Sequence, residues 1–238
     1  VSSALVYNGL AHTVMMASPQ QLGVFALGFT LAEGIARSAS EVYGIEVVER
    51  HDGIEVRIEL ASRAFANLKE RRRQLAGRTG CGLCGVEQLA EVHRPIAPLP
   101  FGQSLTIAAL DAALTALPAA QKLSRLTTGA CHAAAWVLAD GTLAAVSEDV
   151  GRHVALDKLI GYRALEGWSN GAALITTSRA SFEMVQKAAQ VGIEILLAVS
   201  APTQMAVKMS NDLGMTLVGF ARPGRANIYT HAGRIHCD

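Results

Sequence analysis

Ala172-Ala173-Leu174-Ile175-Thr176 is followed by Thr177-Ser178-Arg179-Ala180-Ser181 and then by Phe182-Glu183-Met184-Val185-Gln186-Lys187-Ala188-Ala189-Gln190. A short apolar run, a polar turn and a segment with apolar residues at helical spacing make the strand, loop and helix unit of an α/β sheet. The unit recurs downstream, where Ile193–Val199 reads as a strand, Pro202–Leu213 as a helix and Thr216–Phe220 as a further strand. Upstream, Val154–Leu165 reads as a helix, and Ala133–Leu138 and Leu143–Ser147 flank Asp140-Gly141, a hairpin signal. Strands alternating with helices imply right-handed crossovers and a mostly parallel sheet. With a helix marked by Ile107, Leu110, Leu114 and Leu117 in front, residues 104–238 read as a three-layer α/β domain whose first two strands form a hairpin.

The part before it has a different texture. Leu5-Val6-Tyr7 and Leu10–Met16 bracket Asn8-Gly9, a pair suited to the positive φ angles of a type I′ turn. Ser18-Pro19-Gln20-Gln21 fits a helix start, with Ser18 as N-cap, Pro19 at the first helical position and Gln21 as capping-box partner. Leu22, Phe25, Ala26 and Phe29 continue that helix to about Gly34. A second hairpin is expected over Ile45–Arg50 and Ile54–Leu60, turned by His51-Asp52-Gly53, and a polar helix over Arg63–Leu75. Residues 1–76 therefore read as a small mixed α+β lobe, and residues 77–103, with Gly77, Gly80, Gly82, Gly85, Pro95, Pro98 and Pro100, as a flexible linker.

Composition narrows the functional classes. Half of the 238 residues are apolar, enough for a sizeable core, and the formal net charge of +1 argues against a general nucleic-acid footprint. No run of about 18 apolar residues predicts a membrane span. Val1-Ser2-Ser3 opens no charged region followed by an apolar one, so no secretory leader is expected. Four cysteines in a chain of this size then point to free thiols in a reducing cytoplasm. The apolar content leaves room for a homodimer interface.

The linker carries Gly80-Cys81-Gly82-Leu83-Cys84-Gly85, the one close cysteine pair, preceded by Lys69, Arg71, Arg72, Arg73 and Arg78. Cations beside a thiol stabilise the thiolate, its nucleophilic form. By spacing the pair is half of a zinc site, a redox disulfide or a sulfur relay. Zinc commonly takes its four ligands as two close pairs, and no second C-x-x-C or H-x-x-x-H exists; Cys131-His132 would complete a site only if folding brings it near. A thioredoxin-like motif needs its first cysteine at a helix start.

Ligands of open α/β sheets collect outside the carboxyl ends of the strands. The loops expected there are Glu148–His153, Thr176–Ser181, Ser200–Thr203 and Phe220-Ala221-Arg222-Pro223-Gly224-Arg225. Helix starts favour anions, and Arg152, Arg179, Arg222 and Arg225 add guanidinium groups, so this edge is expected to take a phosphorylated ligand. His153 stands near Asp149 and Asp157, so a carboxylate partner that raises its pKa is expected, in service of either proton transfer or helix capping. Ser178 and Ser181 read as helix caps, Cys131 as a small core residue, Cys237 as a tail residue, and His132 is left without a role.

Taken together, Gly80–Gly85, Thr128-Gly129-Ala130-Cys131-His132, Glu148-Asp149-Val150-Gly151-Arg152-His153, Ser178–Met184 and Phe220–Arg225 resemble the FdhD family of formate dehydrogenase accessory proteins, as do Tyr7-Asn8-Gly9 and Phe25–Phe29. The resemblance covers nearly the whole chain. It implies a cytoplasmic sulfurtransferase that takes sulfur from a cysteine desulfurase as a persulfide on Cys81, with Cys84 beside it, and passes it to a bound molybdenum bis(molybdopterin guanine dinucleotide) cofactor destined for formate dehydrogenase. It also implies dinucleotide binding by Phe220, Ala221, Arg222, Pro223, Gly224 and Arg225, no resident metal, and a larger domain similar to the cytidine deaminase fold. Deaminases hold zinc with H-x-E and P-C-x-x-C at two helix starts. Those starts here carry Arg152-His153 and Ser178–Ser181, so deaminase chemistry is not expected. The alternative is a non-catalytic cofactor-binding chaperone whose C-x-x-C is a zinc or structural clamp.

Overall fold

The computed structural model describes residues 1–76, 95–167 and 171–237, with the backbone alone given for 71–76. Cys81 and Cys84 lie outside the described residues.

Strands β1 (Ser2–Tyr7) and β2 (Leu10–Met16) form the first hairpin, and Asn8 and Gly9 at its tip have φ of 46° and 80°. Asn8 also joins the tip to the neighbouring strand: its Oδ1 accepts from the Leu60 N–H at 2.7 Å and its Nδ2 donates to the Leu60 carbonyl at 3.2 Å. Strands β3 (Val42–Arg50) and β4 (Gly53–Leu60) form the second hairpin, and β4 lies parallel to β1, giving the order β2-β1-β4-β3. Alternation puts Leu5, Tyr7, Val56, Ile58 and Leu60 on one buried face, in the same core as helix α1 (Leu22–Ala32). Helix α2 (Ser62–Ala76) follows β4.

The start of α1 differs from the capping expectation. The helix begins at Leu22, after Gln21 in the left-handed region at φ 60°, and no side chain caps it. Ser18 is instead buried, and its backbone N–H donates to Asp149 Oδ2 at 2.9 Å, 131 residues away. A charge-assisted tertiary bond has taken the residue that a local cap would use.

The second sheet has the order β11-β10-β9-β8-β6-β7. Strands β8 (Gly171–Thr176), β9 (Ile195–Ala198) and β10 (Thr216–Arg222) run parallel, and β6 (His132–Leu138) is antiparallel both to β8 and to its hairpin partner β7 (Leu143–Asp149). Strand β11 (Arg225–Thr230), absent from the sequence expectation, closes the sheet as an antiparallel partner of β10. Two further short strands, β5 (Leu105–Thr106) and β12 (Ile235–His236), pair with each other.

Helix α3 (Ile107–Ala120) covers one face of this sheet, where Leu110, Leu114 and Leu117 share a cluster with Ala135, Val137, Ile175, Leu197 and Val218. A short helix, α4 (Lys122–Leu126), follows, and the Glu148 carboxylate accepts from its Leu123 and Ser124 N–H groups. The opposite face carries α5 (Arg152–Glu166), α6 (Phe182–Gln190) and α7 (Gln204–Leu213). Both faces are buried, which is why these strands read as unbroken apolar runs.

The larger cluster does not stop at the helices. It runs from Trp136, Leu174 and Leu196 through Leu156, Met184 and Met209 to Phe25, Leu5 and Val56. At its centre α1 crosses α5 at two glycines. A Cβ on Gly28 would lie 1.6 Å from the Asp157 carbonyl oxygen, and one on Gly161 would lie 2.1 Å from that of Val24. Real Cβ atoms do not approach backbone so closely, so the helices can meet only where side chains are absent. Gly23 on the same helix is different, since an added Cβ there meets only Ile45 Cγ2 at 3.7 Å. Gly28→Ala is expected to lower the unfolding free energy by about 3 kcal/mol through overpacking. Gly23→Ala should raise it by up to about 1 kcal/mol through helix propensity. Urea denaturation of both variants checks this, and equal effects would remove the crossing from the account.

Candidate functional site

Strands β8, β9 and β10 all end on one side of the second sheet, and because β6 runs against them its first residue, His132, stands there too, paired with Asp149 at the end of β7. Backbone and side-chain bonds lace the loops of this edge together. Thr177 Oγ1 accepts from the Ala133 N–H at 2.8 Å, the Val199 N–H donates to the Thr176 carbonyl at 2.9 Å, and the Phe220 N–H donates to the Ser200 carbonyl at 3.1 Å. The expected edge loops are thus neighbours on one built surface.

The turn into α5 is held from below. Asp149 is fully buried; its Oδ2 accepts from Lys158 Nζ at 2.7 Å and from the Ser18 N–H, and its Oδ1 accepts from the Gly151 N–H at 3.1 Å. This brace fixes the short Val150-Gly151 turn that presents Arg152 and His153. Asp157 is committed in the same way, to Lys187 Nζ at 2.8 and 3.0 Å, and Lys187 also reaches Glu33 Oε1 at 2.9 Å. Neither Asp149 nor Asp157 is therefore the carboxylate partner expected for His153, because both acids are used by lysines. Burial, then the positive charges of Arg152 and Lys187, push the His153 imidazole down to about 4, with Glu183 opposing. His132 is also lowered, by burial and by Arg152. The His153 Nε2 is shielded from solvent and has no hydrogen-bond partner among the described residues.

The start of α6 also departs from the capping expectation. Ser178 is buried with its hydroxyl 3.0 Å from that of Thr176 and donating to the Arg179 carbonyl, so it caps nothing. Ser181 occupies the N-cap position, yet its hydroxyl makes no cap bond and is shielded without a partner among the described residues. Arg179 is exposed between the two.

On the far side of the edge, Phe220–Arg225 is the β10–β11 hairpin and its bulge. Phe220 adopts φ 52° and is 44% exposed, while Ala221 is buried. The Arg222 guanidinium donates to the carbonyls of Val199 and Ala221, tying the bulge to the end of β9. Pro223-Gly224 makes the turn, where Gly224 has φ 73° and its N–H donates to Asp111 Oδ1 at 3.1 Å. Arg225 is exposed beside it. Three inter-strand steps separate β6 from β10, roughly 14 Å at ordinary sheet spacing.

Cys131 is buried and its sulfur lies 3.5 Å from the Thr127 hydroxyl, whereas Cys237 is exposed. Among the described residues no group of three or more His, Cys, Asp and Glu side chains is placed to hold a metal ion, and no helix is long and apolar enough to cross a membrane. Sequence reasoning missed the Asp149–Lys158 brace. The available signal was a lysine standing among Val154, Ala155, Leu156, Leu159 and Ile160 on an apolar helix face.

A family model described as the FdhD/NarQ family matches residues 1–236. Among solved structures, the chain is similar to a Desulfotalea psychrophila protein described as a formate dehydrogenase accessory protein, with a TM-score of 0.76 and 26% identity, over 99% of this chain and 88% of that one.

The lowered His153 pKa has a consequence for acid stability. Below the ordinary 6.5 the unfolded chain takes up a proton that the folded imidazole refuses until about 4. The contribution of His153 is therefore fully present above pH 6.5 and lost as pH falls through 4. His153→Gln should flatten the stability profile in that window while leaving its alkaline side unchanged. Chemical denaturation across the range checks it; an unaltered acid limb would contradict a buried neutral imidazole.

Proposed function

The chain belongs to the FdhD/NarQ family, and from that membership we propose that it is a sulfur carrier acting in the maturation of formate dehydrogenase. In this reading a cysteine desulfurase loads sulfur onto Cys81 as a persulfide. The terminal sulfur then passes to a molybdenum bis(molybdopterin guanine dinucleotide) cofactor as substrate: the S–S bond breaks with its electron pair going to Cys81, which leaves as a thiolate, and a metal centre in its reduced state would supply the two electrons of the new metal–sulfur bond. Cys84, three residues on, shares the load or assists release by a second route, attacking the inner sulfur of Cys81 to form the Cys81–Cys84 disulfide and expel the outer sulfur as hydrosulfide, after which a thiol reductant restores the pair. The Phe220–Arg225 hairpin takes the guanine dinucleotide, with the exposed Phe220 ring as a stacking face and Arg225 as a phosphate partner. The work is cytoplasmic, with formate dehydrogenase as the recipient of the activated cofactor, and the apolar content leaves room for a homodimer.

The observation that carries this reading is the family match over residues 1–236, supported by the accessory-protein description of the similar solved structure. The architecture supports it as well. The order β7-β6-β8-β9-β10, with a leading hairpin and helices between parallel strands, suits a nucleotide-binding sheet of the cytidine deaminase kind. The helix starts that would carry deaminase zinc ligands carry Arg152-His153 and Ser181 instead.

Incubation with a desulfurase and radiolabelled cysteine tests the reading. The wild type should acquire covalent label that thiol reductants release, and should restore formate dehydrogenase activity to a strain lacking this protein. Cys81→Ala should lose much of both. Full label and full restoration in Cys81→Ala would overturn the assignment, and stoichiometric zinc held through Cys81 and Cys84 in anaerobically purified protein would favour a clamp over a carrier.

A further inference from the structure

The amino edge of the second sheet carries a surface that the chemistry of the carboxyl edge does not account for. Residues 95–100 belong to no helix or strand, and their exposure repeats every three residues: Ile96 and Leu99 pack against the main core, while Pro95, Pro98 and then Phe101 are exposed. That period is the one of an extended polyproline helix, a form that Pro95, Pro98 and Pro100 favour. Beside this ridge, along α7, runs a groove of about 740 Å³. Pro95 and Ile96 wall one side, Met205 and Met209 the other, and Lys208 and Asp212 stand exposed at its rim.

The ridge is held from beneath. The Leu99 N–H donates to the Leu213 carbonyl at 2.8 Å. Arg234 is buried and donates to the Pro100 carbonyl at 2.6 Å, to the Gly214 carbonyl at 2.8 Å and to Glu194 Oε2 at 3.1 Å. The same Glu194 oxygen accepts from the Gly102 and Gln103 N–H groups at 2.8 and 3.1 Å. The Phe101 ring is stacked 4.3 Å from the Arg234 guanidinium and is nevertheless 66% exposed. A large ring already fixed by a buried cation gives up little freedom when a partner covers it, which is the character of an interface anchor.

We propose that this groove and the Phe101 ridge are the docking surface for the desulfurase that donates sulfur to the cysteine pair. The identity of the partner rests on the sulfur-carrier reading. Glu194 stands just before β9 and Thr216 opens β10, so the surface lies at the opposite end of the strands from the Phe220–Arg225 hairpin, and a recipient drawing cofactor from that hairpin leaves it uncovered. The cysteine pair is also tethered here: Cys84 stands eleven residues before Pro95, a chain length of at most about 40 Å. About a dozen residues make up groove and ridge, whereas a stable interface takes about 20–30 on each side. That size suits a donor that leaves after each transfer better than a second copy of this chain. The fitting partner inserts an apolar side chain between Ile96 and Met209 and lays aromatic or aliphatic surface on Phe101. In the transfer the Cys81 thiolate attacks the outer sulfur of the donor's persulfide, the donor's S–S bond breaks, and the donor cysteine leaves as a thiolate with no net oxidation.

The full chain is loaded by a cysteine desulfurase with cysteine and, separately, by glutathione persulfide, a donor too small to need a docking surface. Phe101→Ala and Met205→Glu should each weaken desulfurase binding and slow loading by it about tenfold or more, the loss of one interface anchor. Both should accept sulfur from glutathione persulfide at the wild-type rate, which a damaged fold would not allow; Met205 is exposed, so Met205→Glu keeps the test open if Phe101→Ala unfolds. Wild-type binding and loading by the desulfurase in folded Met205→Glu and Phe101→Ala overturn the docking surface. So does a loss confined to formate dehydrogenase binding or to self-association in sedimentation, which would give the groove to one of those partners. A wild type that takes sulfur from neither donor brings down the sulfur-carrier reading itself, a result distinct from variants that load as the wild type does.

Discussion

The contact between Gly28 and Gly161 is what lets the two halves of the described chain share a core. Because neither residue has a Cβ, the α1 backbone comes against Asp157 and the α5 backbone against Val24. That approach brings the first sheet and the helical face of the second into one apolar cluster. It also places Ser18, just before α1, within reach of Asp149, just before α5. A buried ion pair contributes little net stability on its own, yet removing one partner from such a pair costs about 3–5 kcal/mol. Asp149 and Lys158 therefore act chiefly as a geometric lock on the turn that presents Arg152 and His153.

Function at the carboxyl edge follows from this arrangement. Lysines on α5 and α6 consume the acids that sequence proximity would have given to His153, and what remains facing the edge is a guanidinium and two neutral imidazoles. The brace from the first sheet thus sets the charge as well as the shape of the surface. On the β10 side the same economy appears in reverse: Arg222 is spent on the carbonyl of Val199 to hold the bulge, which leaves Phe220 and Arg225 outward.

Local signals were readable wherever local physics decides. Asn8-Gly9 and Asp140-Gly141 announced their hairpins, and the unbroken runs Ala172–Thr176 and Ile195–Ala198 announced buried parallel strands. The failures share a cause. Ser18 had a good capping sequence, but an acid 131 residues away offered a stronger partner. His153 had two nearby acids in sequence, but both point to lysines that only the fold brings in. Strand β11, with the sequence Arg225-Ala226-Asn227-Ile228-Tyr229-Thr230, is exposed at the sheet's edge and lacks the apolar run of its neighbours. The candidate site was legible as a set of loops and not as a set of partners.

The central claim is that sulfur travels on the cysteine pair and not on Cys131 or Cys237. Intact-mass measurement after loading with a desulfurase and cysteine tests it most directly. The account requires added sulfur on the wild type, on Cys131→Ala and on Cys237→Ala, less on Cys81→Ala, and none on a Cys81→Ala, Cys84→Ala double variant. Sulfur retained in full by a Cys81→Ala, Cys84→Ala double variant would contradict it.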